Sequence, residues 1–141
     1  MNQATRLLAA VVLLACVWTQ GTSALAGPND PLFINMTTDD SHRAKMALFF
    51  GSRQMERGHP LTLFLNDKGV KVGSKAHAAQ YAEHQKLMRE LMGRGAVVLA
   101  CPMCMEHYQV KAEDLLEGVR QGNPDLTGGQ LFQDDTKTLT W

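Results

Sequence analysis

Cysteine is scarce in this chain of 141 residues, with three in all: Cys16, Cys101 and Cys104. A small scaffold stapled by disulfides would need more of them. Charge of one sign is missing as well, since 14 basic residues balance 14 acidic ones, whereas a nucleic-acid binder would carry a basic stripe. Beyond residue 26 no stretch approaches about 18 consecutive apolar residues, so no later segment has the make-up of a membrane span. Aromatic residues make up only 6% of the chain. No internal repeat or low-complexity linker divides it, which leaves room for one domain of ordinary composition.

Residues 1–26 read as an export signal. Arg6 supplies the cation, Leu7 to Trp18 the apolar run, and Thr22-Ser23-Ala24-Leu25-Ala26 the small residues of a cleavage site. The mature chain is expected to begin near Gly27 and to be a soluble protein of the periplasm or the cell exterior, with no membrane attachment after signal removal. Lipoprotein processing at Cys16, after Leu13-Leu14-Ala15, is the alternative, and Leu14 fits it poorly. The signal region holds one cation, Arg6, and no anion, so the remainder carries 13 basic against 14 acidic residues. A domain spanning residues 27–141 buries roughly 65% of its unfolded surface and needs no disulfide to hold a core.

Along that domain, short apolar runs alternate with helical patterns. Strands are expected at Leu32 to Thr37, Leu61 to Leu65, Ala96 to Ala100 and Lys137 to Trp141. Helices are expected at Ser41 to Arg57, Lys75 to Met92 and Val110 to Arg120, the last broken by Gly122-Asn123-Pro124-Asp125. Alternation of this kind implies parallel crossover units and a three-layer α/β/α sandwich around a mainly parallel sheet of about five strands. On the first helix Met46, Phe49 and Phe50 lie off the face of Ala44, Leu48 and Met55, which points either to self-association or to deep cover within one molecule.

Cys101-Pro102-Met103-Cys104 follows directly on the apolar run Ala96 to Ala100. In an open α/β sheet, sites form beyond the carboxyl ends of strands, so two thiols are presented where chemistry is usually placed. With Cys101 at a helix cap, Pro102 takes the first helical position and Cys104 comes one turn on, facing Cys101. Such a pair suits nucleophilic attack by Cys101 and resolution by Cys104. A static disulfide across so short a loop would add only about 2 kcal/mol, and a pair of inert buried cysteines is the other bland reading. Asn66 to Ser74, at the end of the second strand, is the expected opposite wall, with Lys68 and Lys71 as its positive charges.

A soft-metal reading gathers Cys101, Cys104 and His107, with Met103 and Met105 nearby, as a copper(I) site. Helical geometry opposes it by scattering the two methionines. Zinc would want four ligands where the chain offers one thiol pair. His77 and His84, seven apart on the second long helix, form a weaker candidate cluster, and His42 and His59 read as solvated or capping.

The order of elements resembles the DsrE-like sulfur-relay family (DsrE/DsrF, YchN-like) over most of the chain after residue 26. The segments that carry the likeness are Ile34-Asn35-Met36-Thr37-Thr38-Asp39, Glu56-Arg57-Gly58-His59-Pro60, Leu63 to Val70, and Val97-Val98-Leu99-Ala100-Cys101. The resemblance implies a persulfide-bearing role for Cys101 alone, Cys104 being an addition of this chain. It also implies assembly into a trimer or hexamer. The expected function is an exported sulfur carrier or thiol-exchange protein, sulfurtransferase-like if it turns over, whose partners are a sulfur donor and an acceptor protein or small thiol. The alternative is a non-catalytic module binding copper or a protein partner.

Overall fold

The computed structural model describes residues 27–141. The expected export signal, with Cys16 in it, lies outside the described residues. Among those residues no helix is long and apolar enough to cross a membrane.

Five strands form one sheet, β1 (Leu32–Met36), β2 (Leu61–Leu65), β3 (Val97–Ala100), β4 (Arg120–Gln121) and β5 (Lys137–Thr140). Their order is β4-β3-β2-β1-β5, and every pairing is parallel. The central three read as near-continuous apolar runs because a parallel sheet is covered on both faces. β5 has a single neighbour, and its residues are exposed.

Helices α1 (Ser41–Glu56), α2 (Ala78–Gly93) and α3 (Pro102–His107) cover one face, and α4 (Pro124–Leu131) the other, so the architecture is three-layered. On the thick side Ile34, Met36, Leu63, Leu65, Val98 and Ala100 meet Ala44, Leu48, Met88, Leu91 and Met105 in a single apolar cluster. Small residues let α1 lie close to the sheet: a side chain on Gly51 would run into Leu61 and Ile34. On the thin side Phe33 and Phe64 pack 6.1 Å apart, and Thr62 donates a 2.9 Å hydrogen bond to Gln130 of α4.

Strands β1 to β4 run outward in one direction with their connections on the thick side, and β5 returns beside β1 by way of α4. The direction therefore reverses at β1/β5. Trp141 fills that position, its carbonyl accepting from the Thr37 amide at 2.7 Å. The open rim that remains lies at the carboxyl ends of β2 and β3.

The expected helix from Val110 to Arg120 is not formed. Val110, Leu115, Leu116 and Val119 are buried as the pattern requires, but one 3-10 turn, Ala112–Asp114, and irregular chain carry them. Gln109 at φ 55° turns the chain out of α3, and Gly118 at φ 91° prevents a regular continuation. The Leu116 amide bonds to the Gly73 carbonyl at 3.0 Å rather than along a helix. The expected break at Gly122 to Asp125 instead starts α4. Asn123 caps it by accepting from the Leu126 amide at 2.7 Å, and Pro124 takes the first position.

On α1, Met46, Phe49 and Phe50 are exposed, and the Phe50 ring sits 5.6 Å from that of Trp141.

Candidate functional site

β3 ends at Ala100, and its extended path carries Cys101 to the rim. There the Cys101 amide bonds to the Leu65 carbonyl at 2.9 Å, tying it to the end of β2. Cys101 is the cap of α3, its Sγ accepting from the Cys104 amide at 3.4 Å, with Pro102 next. Because α3 is only six residues long, its dipole contributes little, and this specific amide contact is what the helix offers. Both cysteines are free thiols and half-buried. Their sulfurs lie 2.7 Å apart, in close contact. A disulfide is within reach without backbone movement.

Burial first, then the neighbouring Cys101 sulfur, pushes the Cys104 thiol up to about 11 from an ordinary 9.0. Cys101 Sγ accepts from the Cys104 amide, a contact that an N–H can make only as donor.

One side of Cys101 opens on an apolar cleft of about 490 Å³ lined by Phe64, Pro102, Met103, Pro124 and Thr127. The other side is polar. Asn66 Oδ1 lies 2.9 Å from Cys104 Sγ and also accepts from the Asp67 amide at 2.9 Å. Asp67 has φ 45°, in the left-handed region. Its carboxylate accepts from the Tyr108 hydroxyl, which together with burial raises the Tyr108 phenol to about 12. Lys71 sits 4.8 Å from the centre of the Tyr108 ring and pairs with Asp39 at 3.1 Å. Of the two lysines expected opposite the thiols, Lys71 is thus spent on Asp39 and Tyr108, and Lys68 is exposed.

His107 stands edge-on to the Tyr108 ring, 4.6 Å between centres, and among the described residues no group of three His, Cys, Asp or Glu side chains is placed to hold an ion. Met103 is 80% exposed, whereas Met105 is 2% exposed and belongs to the core. His84 is buried and fastens α2 to the start of α1, its Nε2 donating to the Ser41 carbonyl at 2.7 Å. His59 bonds to the Asp30 carbonyl at 2.8 Å.

Asn66, Asp67 and Tyr108 were not singled out by sequence reasoning. Asn66 and Asp67 lie in the loop expected to face the thiols, and Tyr108 is four residues beyond Cys104, one helical turn on, which was the available signal.

The raised thiol gives a pH dependence. Folded Cys104 keeps its proton more firmly than the unfolded residue, so its contribution to stability is complete below about pH 9 and is lost as pH rises toward 11. Tyr108, raised from 10.0 to about 12, acts in the same direction. Denaturant midpoints are therefore expected to hold through neutral pH and fall in alkali, and to fall less in Cys104→Ser. Identical alkaline profiles for the two proteins would show that Cys104 is not the perturbed group.

Fold and rim together define a parallel α/β protein with a thiol pair at the end of a central strand. The match to the DsrE/DsrF-like family model covers residues 32–135, and the chain belongs to that family. It is 32% identical over 79 residues to uncharacterized protein MJ0989 of Methanocaldococcus jannaschii, covering 55% of this chain and 69% of that protein. It is 31% identical over 78 residues to uncharacterized protein MK0008 of Methanopyrus kandleri, covering 55% of this chain and 64% of the relative, just under two thirds of its length. Among solved structures, the protein of unknown function MTH1491 from Methanobacterium thermoautotrophicum superposes with a TM-score of 0.65 at 18% identity, over 80% of this chain and 100% of its own. The ychN protein from E. coli superposes with a TM-score of 0.64 at 20% identity, over 80% and 99%. These two likenesses establish the fold.

Proposed function

We propose that this protein carries or exchanges sulfur on Cys101, with Cys104 as the resolving thiol. The observation that carries the reading is the asymmetry of the pair. Cys101 Sγ accepts from the Cys104 amide and lines an open cleft, while burial and the neighbouring sulfur hold Cys104 protonated. Membership of the DsrE/DsrF-like family points toward sulfur-relay chemistry.

In the loading step the Cys101 thiolate attacks the outer sulfur of a donor persulfide. A new S–S bond forms at Cys101, the donor's S–S bond breaks, and the donor leaves as its thiolate. In delivery an acceptor thiolate attacks the outer sulfur of the Cys101 persulfide, and Cys101 leaves as thiolate. No external oxidant or reductant enters either step. With a disulfide in place of the persulfide, the same displacement is thiol–disulfide exchange. Export, as residues 1–26 suggest, would put this chemistry in the periplasm or outside the cell, where exposed thiol pairs are under oxidising pressure. Self-association would rest on the exposed Met46 and Phe49 of α1.

Polysulfide treatment of the reduced protein, followed by peptide mass mapping, tests the reading. One added sulfur on the Cys101 peptide, absent in Cys101→Ser, is expected. No added sulfur, together with stoichiometric copper(I) binding that Cys101→Ser/Cys104→Ser abolishes, would replace the carrier with a soft-metal module.

A further inference from the structure

We infer that Asn66 is a positioning residue that sets how long a sulfur-bearing group survives on Cys101, by giving the Cys104 proton a second place to bond. The inference rests on the carrier reading above.

Cys104 Sγ has one proton and two acceptors in range, Cys101 Sγ at 2.7 Å and Asn66 Oδ1 at 2.9 Å. The carboxamide cannot turn its nitrogen toward the sulfur without losing a bond. The same Oδ1 accepts from the Asp67 backbone amide at 2.9 Å, and an amide N–H can only donate. Asp67 is held in turn by the Tyr108 hydroxyl, and Tyr108 lies beneath the Lys71–Asp39 pair. The β1–α1 loop, the turn after β2 and the end of α3 thus converge on one fixed amide oxygen.

When Cys101 is a thiolate, its sulfur competes with Asn66 for the Cys104 proton. Once Cys101 carries a group through an S–S bond, its sulfur is a poor acceptor, and Asn66 is the partner that remains. Resolution then requires Cys104 to surrender its proton to solvent hydroxide. The Cys104 thiolate attacks Cys101 Sγ, the Cys101–Cys104 S–S bond forms, and the bond to the carried group breaks. The leaving sulfur departs with the electron pair, as hydrosulfide from a persulfide or as a thiolate from a mixed disulfide. A hydrogen bond accepted from the neutral thiol favours that neutral form, so Asn66 slows the loss of cargo before an acceptor arrives.

The test uses the reduced protein and one equivalent of dithiobis-nitrobenzoate, whose thiolate is coloured. The first release reports loading, the second reports displacement by Cys104, and Cys104→Ser should show the first alone. Asn66→Ser keeps a side chain that can cap the Asp67 amide but withdraws the oxygen from the sulfur. It should speed the second release roughly fivefold at neutral pH, the worth of one net hydrogen bond, and move the pH midpoint of that phase downward. Asn66→Asp, which retains an oxygen acceptor, should release no faster than wild type. Simple loosening of the loop would instead speed both variants and leave the midpoint in place. An unchanged second phase in Asn66→Ser, equal acceleration in Asn66→Asp, or an unmoved midpoint overturns the role of Asn66 while the adduct on Cys101 stands. Peptide mapping that finds the first adduct on Cys104 overturns the carrier assignment, and this inference with it.

Discussion

Cys101→Ser is expected to slow both sulfur loading and mixed-disulfide formation by roughly 10³-fold or more, the scale on which removing a covalent nucleophile acts. A serine hydroxyl at the same place is neutral near pH 7 and forms no S–S bond. The fold should survive, because Cys101 is half-buried and its structural task is to cap α3, for which serine is at least as good. Cys104→Ser should load normally and fail to resolve. Pairing stopped-flow thiol exchange with thermal melts separates the two effects: a Cys101→Ser protein that melts as wild type yet exchanges normally would show that another group carries the chemistry.

Gly69→Ala should be among the most damaging single substitutions in the domain. A Cβ on Gly69 would fall inside van der Waals contact of the Met36 carbonyl oxygen and carbon, backbone atoms at the end of a central strand. That carbonyl also accepts from the Asn66 amide at 2.9 Å, so it cannot swing away cheaply. Overpacking costs about 1–3 kcal/mol where side chains can yield, and occasionally more. Here backbone must yield, and a loss of about 3 kcal/mol corresponds to a fall of roughly 10–20 °C in Tm for a domain of this size. The displacement would also pull Asn66 and Asp67 away from Cys104, so thiol resolution should change along with stability. Calorimetry showing Gly69→Ala within about 1 kcal/mol of wild type would mean that the turn after β2 is looser than its packing implies.

Much of the frame was legible in the chain. The central strands are four or five residues of buried apolar sequence, and Ser41 to Glu56 and Ala78 to Gly93 follow helical spacing, so alternation alone implied a parallel three-layer sheet. The position of the thiol pair at the end of β3 was legible for the same reason.

What failed did so for identifiable reasons. Val110, Leu115, Leu116 and Val119 have helical spacing and are buried, but the Leu116 bond to the Gly73 carbonyl and positive φ at Gln109 and Gly118 win over that periodicity. α4 was hidden because Gly128 and Gly129 lower its propensity. Asn123 and Pro124, which start it, also fit a loop.

In the site, the Cys101–Cys104 geometry was local and therefore foreseeable. The network through Asn66, Asp67 and Tyr108 joins residues up to 41 positions apart, and sequence spacing does not reveal that kind of closure. Lys71 shows the converse. Nearness in sequence to a site does not assign a side chain to it, since Lys71 is committed to Asp39 and to the Tyr108 ring.

The most direct measurement of the central claim is competitive alkylation of the native, reduced protein at pH 7, with the label on each cysteine located by fragmentation of the peptide that carries both and followed over time. With its thiol near 11, Cys104 is ionised in only about one molecule in ten thousand at that pH, and Cys101, open to the cleft, should be labelled first by at least about tenfold. Labelling of Cys104 as fast as Cys101, or faster, would contradict the assignment of Cys101 as the reacting sulfur.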